Sequence, residues 1–362
     1  MRGRDRLLLF ALLALLALPL HATTLHVFGS AGAESQLTPA NERSPLNPHN
    51  IAGIPGQTNV ADFNVFAEAA AESRAWKLRL KLRGDASDRA DERLSLGEAV
   101  LQVRATSWLD FGVGRVIEKW GTGYGWSPTA FVGPSKNPSD PNDRRSQYEG
   151  TDLLRADVFA RGTSLSFYAL RHGTLAARAY RLIAGTDVSL AYRRDRDATR
   201  TGLSLSRVFG ESLELHAEVA RSQSTNQAVA GMQYTIGGTN LVAEIFHGTD
   251  GLTSSEWDRF RELAATGDLR RANHDFTLLR MARSYSFVRV ARDFTRWKSS
   301  AELIAITNLR DGSTLVRATL SRSLLPSLSA YVIATEFLGE SGSELAYLQV
   351  ARVMAIGARV HF

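Results

Sequence analysis

In residues 75–84, AWKLRLKLRG, two kinds of side chain alternate without a break. Trp76, Leu78, Leu80 and Leu82 share one parity; Lys77, Arg79, Lys81 and Arg83 share the other. A helix would wind the two sets around one another. A strand separates them, because successive side chains point to opposite faces. The segment is therefore read as a strand with one apolar and one strongly cationic face. A row of like charges sits badly on the outside of a soluble sandwich. It fits a wall whose polar side faces a wet interior and whose apolar side faces lipid, as in a transmembrane β-barrel.

The same period recurs almost to the end of the chain. Alternating segments are read at 25–32, 63–72, 94–105, 107–116, 152–160, 163–171, 174–184, 187–194 and 201–209. They continue at 212–221, 228–236, 240–248, 284–294, 299–308, 313–322, 327–337 and 352–362. With 75–84 these make about 18 strands, within a range of 16–18. The predicted fold is all-β: a transmembrane antiparallel β-barrel with long extracellular loops and both termini on the periplasmic side. DFTLLRMA (275–282) reads either as an extra strand or as part of a loop. The segments are longer than most sandwich strands, and the connectors alternate short and long.

Hydropathy alone hides such a fold. Hydrophobic residues make up 44% of the chain and the mean hydropathy is −0.15, because apolar and polar positions cancel along a barrel strand. The one long apolar run, LLLFALLALLALPL (7–20), follows the basic start MRGRDR and precedes Ala22. It is too short to span comfortably and reads as a signal peptide over 1–22, leaving a barrel over 23–362. Export through the periplasm to the Gram-negative outer membrane is the localisation this implies. With 0 cysteines the chain has no disulfide framework, and closure of the sheet would supply the stability. The net charge of +6 points to an anionic membrane surface or an anionic solute, since an exported chain rarely meets nucleic acid.

Two stretches break the alternation. In 114–150, Gly121, Gly123 and Gly125 interleave with Trp120, Tyr124 and Trp126, and Pro128, Pro134, Pro138 and Pro141 follow. Prolines at that density block a ladder and mark a long loop. The glycines are not a phosphate-binding loop, which would end in Gly-Lys-Ser/Thr before a helix. If the loop folds inward, Trp120, Tyr124, Trp126, Lys136, Asp140 and Asp143 are the constriction candidates; if it caps the outside, they pack on one another. The sequence leaves both open. Asp140 and Asp143 lack the ligand spacing of a calcium loop, so no metal is assigned. The second stretch lies in the loop 249–283. There Thr253 and Glu256 form a capping box, and Trp257, Phe260, Leu263 and Ala264 share a helical face that Gly267 can end.

Gly114-Arg115, Trp120-Gly121-Thr122-Gly123, Pro138-Ser139-Asp140-Pro141 and Glu149-Gly150, with Asp311-Gly312-Ser313 and Gly339…Ser343-Glu344 further on, resemble a group of Gram-negative outer-membrane barrels. These are the porin-like and alginate-export-like proteins. The resemblance implies the fold and the membrane, without a defined substrate. The final residue, Phe362, preceded by apolar residues at every second position, resembles the C-terminal signal read by the barrel assembly machinery. Arg115 departs from the pattern, because it shares parity with Leu109, Phe111 and Val113. Either a bulge at Gly112 or Gly114 resets the phase, or Arg115 sits at the membrane rim.

The function expected is passive passage of small polar solutes, anionic ones preferred, with no cofactor. Lys77, Arg79, Lys81, Arg83, Arg317 and Arg359 are the predicted pore-lining residues, since rows of cations favour anions. The counter-reading pairs this ladder with Glu98, Glu214, Glu218 or Glu244. A structural or export barrel with periplasmic partners is a second hypothesis. An outer-membrane lipid hydrolase is a third; His172, His247 and His274 lie near strand ends, but no Gly-x-Ser-x-Gly or His-Glu-x-x-His is present. Expected partners are outer-membrane lipid and lipopolysaccharide, the assembly machinery and the solute, with no nucleic acid. Homo-oligomerisation is left undecided.

Overall fold

The computed structural model of the chain describes residues 22–71, 75–87, 90–134, 136–140 and 150–362. The predicted signal peptide, apart from Ala22, and Asp143 lie outside these residues. Eighteen strands form one sheet. They are β1 (Ala22–Leu37), β2 (Gln57–Ala71), β3 (Trp76–Ser87), β4 (Ala90–Thr106), β5 (Leu109–Val116) and β6 (Thr151–Ala160). Next come β7 (Thr163–Leu170), β8 (Leu175–Ile183), β9 (Thr186–Arg194), β10 (Thr199–Phe209), β11 (Leu213–Arg221) and β12 (Asn226–Ile236). The last six are β13 (Thr239–Gly248), β14 (Ser284–Phe294), β15 (Ser299–Asn308), β16 (Thr314–Leu325), β17 (Leu328–Leu338) and β18 (Arg352–His361).

Each strand pairs antiparallel with the next, and β18 pairs back to β1, so the sheet is a closed barrel without a free edge. At the seam, Gly29 and Phe362 exchange backbone hydrogen bonds of 2.7 and 3.0 Å. The Phe362 ring lies where a Cβ on residue 29 would stand, so the C-terminal aromatic needs Gly29 beneath it.

Alternation sorts the wall into two faces. Ile356, Ile245 and Leu190 are 64%, 61% and 56% exposed. On the opposite parity, Glu98, Glu218, Glu244 and Arg359 are buried. Cross-strand partners share a face, so the pairs Arg79↔Val100 and Lys81↔Glu98 turn the cations of β3 inward. Trp76, Leu78, Leu80 and Leu82 take the outward face.

The two ends of the barrel differ. At one end, β6–β7, β8–β9 and β12–β13 are joined by two residues each: Arg161-Gly162, Ala184-Gly185 and Gly237-Gly238. All six have φ between 48° and 79°. Two successive positive φ values make the type I′ turn, whose twist matches that of the strands it joins. At the other end lie the long connections, residues 38–56, 117–150, 249–283 and 339–351. In a membrane barrel the long loops face outward and the short turns face the periplasm.

The phase question at Arg115 is settled by register. Pairing of β5 with β6 runs unbroken from Leu109 to Val116, and with β4 from Asp110 to Arg115. No bulge occurs at Gly112 or Gly114. Arg115 keeps its outward parity at the long-loop rim, where it binds Asp152 at 2.7 and 3.1 Å and the Leu96 carbonyl at 3.1 Å. The bulge is on the neighbouring strand: opposite β3 the register skips Gly97, whose carbonyl accepts from Gly150 N at 2.8 Å. The segment 275–282 is no strand; its first residue, Asp275, ends a helix, and the rest is loop leading into β14.

Ile356, outward and central in β18, tests the lipid-facing assignment. Ile356→Arg is expected to lower folding stability in lipid vesicles by about 2–4 kcal/mol, the cost of a cation near the bilayer midplane. On a solvated face the same change would stay within about 0.5 kcal/mol. Urea titration of the refolded barrel in vesicles distinguishes the two.

Candidate functional site: the inward loop and the inner wall

The loop after β5 folds into the barrel. Trp120, 2% exposed, packs edge-on against Tyr168 of the inner wall at 5.2 Å and against Phe131 at 6.5 Å. Trp126 stacks on Phe246 at 5.1 Å and lies 6.0 Å from Tyr285. Tyr124 meets Phe287 at 5.8 Å, with the Arg289 guanidinium 4.9 Å over its ring. Apart from Phe131, which belongs to the loop itself, these partners come from β7, β13 and β14.

Two carboxylates of the inner wall hold the loop by its backbone. Glu218 of β11, 1% exposed, accepts from Gly123 N at 2.6 Å, Thr129 N at 3.0 Å, Thr129 Oγ1 at 2.6 Å and Ser127 Oγ at 3.2 Å. Thr122 N donates to it as well. Glu244 of β13 accepts from Gly125 N at 2.8 Å and from Tyr124 N, and His216 Nε2 lies 3.0 Å from it. Hydrogen bonds to a charged group in a dry setting are the strong ones. The glycines let the backbone come this close. Gly121 has φ +83°, and a Cβ on Gly123 would stand 2.1 Å from the Trp126 carbonyl. Lys136 donates to the Gly123 carbonyl. Burial pulls its ammonium below the usual lysine range, with Glu218 and Glu244 opposing. Asp140 reaches across to Arg317 of β16 at 3.0 Å.

The cations of β3 stand nine places from β12 in the ring of 18, on the far side of the barrel from these anchors. They have carboxylate neighbours. Lys77 pairs with Glu68 at 2.7 Å, Arg79 with Glu98 at 3.2 Å and Arg83 with Asp85 at 3.5 Å. Lys81 lies 5.5 Å over the Phe66 ring. Arg359 binds Asp62 through two contacts of 2.9 Å. Glu98 is thus a partner of the ladder. Glu218 and Glu244 serve the loop, and Glu214 accepts from Ser206 at 2.7 Å.

Between the loop and the outer ends of β10–β13 lies a cavity of about 420 Å³. Its lining includes Trp126, Phe131 and Phe246, with Lys136, Arg200 and Arg280 and the single carboxylate Asp250. Among the described residues neither Arg200 nor Arg280 forms a direct salt bridge; Arg200 lies in the field of Asp195, whose partner is Arg193. The rim histidines do not converge: His172 lies in the β7–β8 turn, His247 on the outward face of β13 against Ser284, and His274 in the 249–283 loop.

The remaining long loops join into a cap. The predicted helix is α1 (Ser254–Ala265), with both halves of its capping box formed, at 2.7 and 3.2 Å. A second helix, α2 (Leu269–Asp275), capped by Asp268, was not visible in the apolar pattern. Trp257, Phe260 and Ala264 pack against Tyr347 and Leu46, uniting loops 249–283, 339–351 and 38–56. Beneath them, Glu344 accepts from Leu279 N, Asn308 Nδ2 and Tyr285 OH, each at 2.8 Å. Asp311 accepts from Glu344 N at 2.8 Å and from Ser313 Oγ at 2.6 Å. The scattered motif residues Asp311, Ser313 and Glu344 are thus one knot.

No protein-family model matches the chain, and no curated protein matches its sequence. Solved structures do. Pseudomonas aeruginosa OccK5 (OpdH) superposes with a TM-score of 0.60 at 10% identity, covering 94% of this chain and 99% of that one. OccK1 (OpdK) of the same organism gives 0.61 at 9%, covering 93% and 98%. A triple mutant of Rhodopseudomonas blastica porin gives 0.51 at 12%, covering 94% and 100%. At these identities the likeness is one of fold: a porin-type barrel over nearly the whole chain.

Two outcomes follow. Glu218→Ala removes at least two hydrogen bonds of about 1.5 kcal/mol each, which is expected to raise the opened population of the loop roughly a hundredfold. Limited trypsin digestion of the folded barrel should then cut at Lys119 and Lys136, whereas Glu214→Ala should not expose them. Burial pushes the Glu344 carboxyl up to about 7 from 4.5. A group raised on folding stabilises fully below its unfolded pKa, and that contribution is lost as pH rises. Urea stability should therefore fall by about 3 kcal/mol between pH 4.5 and 7.5, and Glu344→Gln should flatten the slope.

Proposed function

We propose that this protein is an outer-membrane, porin-like channel for passive passage of small polar solutes, and that it prefers anions. Barrels of 16–18 strands leave an aqueous channel, and the inward loop would narrow it. The preference rests on one observation. The cavity between loop and wall presents Lys136, Arg200 and Arg280 against the single carboxylate Asp250. The β3 ladder contributes less, because Lys77, Arg79 and Arg83 have carboxylates beside them. One OpdK structure holds vanillate. Here Trp126, Phe131 and Phe246 stand beside the arginines, so small carboxylates, aromatic ones included, are the solute class proposed.

The test is the reversal potential of the refolded protein in a planar bilayer under a salt gradient. Anion selectivity is expected, and Arg200→Gln with Arg280→Gln should move the potential towards zero. Replacing Lys77 and Glu68 together by Gln should leave it unchanged. A cation-selective wild type, or a folded barrel that carries no current, overturns the reading.

A further inference from the structure

A groove of about 360 Å³ lies at the outer ends of β10–β13. The register shows that it opens on the lipid-facing side. Leu190, Leu203, Val219, Ala228 and His247 are successive cross-strand partners, so they form one row on one face. Leu190 and Val219, both exposed, identify that face as the outward one. Ala228 is the small member of the row, set between Val219 and His247, and it makes the dent. Two residues nearer the outer rim runs a second row: Tyr192, Thr201, Arg221 and Asn226. Apolar floor and polar head follow one another along the membrane normal.

Arg221 is the charged member of the head row. Its guanidinium is exposed and has no ion-pair or hydrogen-bond partner among the described residues. It borders both this groove and the internal cavity. At the opposite end of the barrel, outward-facing Arg207 lies 5.0 Å over Phe209 and Arg292 lies 5.4 Å over Phe294, while Arg181 and Arg322 are exposed there without an apolar groove beneath them among the described residues. An unengaged guanidinium directly above an apolar trough, at the depth where lipid headgroups begin, matches a phosphate above an acyl chain. Arginine is suited to that phosphate because its planar fork binds two oxygens at once.

We infer that this groove is a binding site for a phosphorylated lipid of the outer leaflet, its phosphate on Arg221 and one acyl chain against Leu203, Val219 and Ala228. The inference rests on the membrane reading above and is independent of what the pore carries.

The test uses the full barrel in detergent with bisphosphorylated lipid A as the probe, read by native mass spectrometry after detergent exchange. Wild type is expected to retain one lipid saturably. Arg221→Gln should cut the retained fraction fivefold or more, and removing the phosphates from the probe should do the same. Ala228→Trp places an aromatic on a lipid face, where it is tolerated. It should fill the trough, abolish retention and leave conductance unchanged. Equal retention by wild type and both variants, or uptake that never saturates, overturns the site. Retention of the dephosphorylated probe equal to that of lipid A overturns the role of Arg221. A barrel that inserts into liposomes but keeps no lipid refutes the groove alone; one that fails to insert refutes the membrane reading with it.

Discussion

The interior of the barrel depends on two inward-facing carboxylates. Glu218 and Glu244 stand on β11 and β13, and the backbone of residues 122–129 comes to them. A buried carboxylate is costly unless its lone pairs are filled. Here they are filled by main-chain N–H groups that have no ladder to join. The loop needs acceptors and the glutamates need donors, and each is satisfied only while the loop lies inside. The aromatic packing of Trp120 and Trp126 then adds apolar burial on either side of this polar seam.

Closure of the sheet makes that arrangement possible. With β18 bonded to β1, the strand backbone is satisfied within the sheet, as hydrocarbon requires. The inner face is then free to carry charge and the outer face to carry Leu, Ile and Val. The outer cap follows the same logic. Glu344 and Asp311 gather the backbone and side-chain donors of three loops into one buried knot, and the apolar cluster around Trp257 covers it.

Much of the architecture was legible because a barrel strand states its own orientation. The alternation in AWKLRLKLRG assigned both faces of β3, and the same period found all eighteen strands, most of them to within four residues, although β1 runs five residues past the segment read and β2 begins six before it. What alternation cannot state is which partner an inward side chain meets. Glu98 and Glu218 look alike in sequence; one pairs with Arg79 and the other binds a loop about 90 residues away along the chain. The destination of the loop was hidden for the same reason, since it is decided by those distant carboxylates. Arg115 was ambiguous because only the unbroken register of β5 separates a bulge from a rim position. Helix α2 escaped because its seven residues carry one buried apolar side chain, Ala272. The Thr253–Glu256 box was visible because capping is local.

The most direct test of this account is single-channel conductance of wild type beside a Glu218→Ala, Glu244→Ala double variant. If the two carboxylates hold the loop across the lumen, the variant should conduct more and with greater noise, from a barrel of unchanged heat-modifiable mobility. Equal, quiet conductance from both proteins would show that the loop does not narrow the pore.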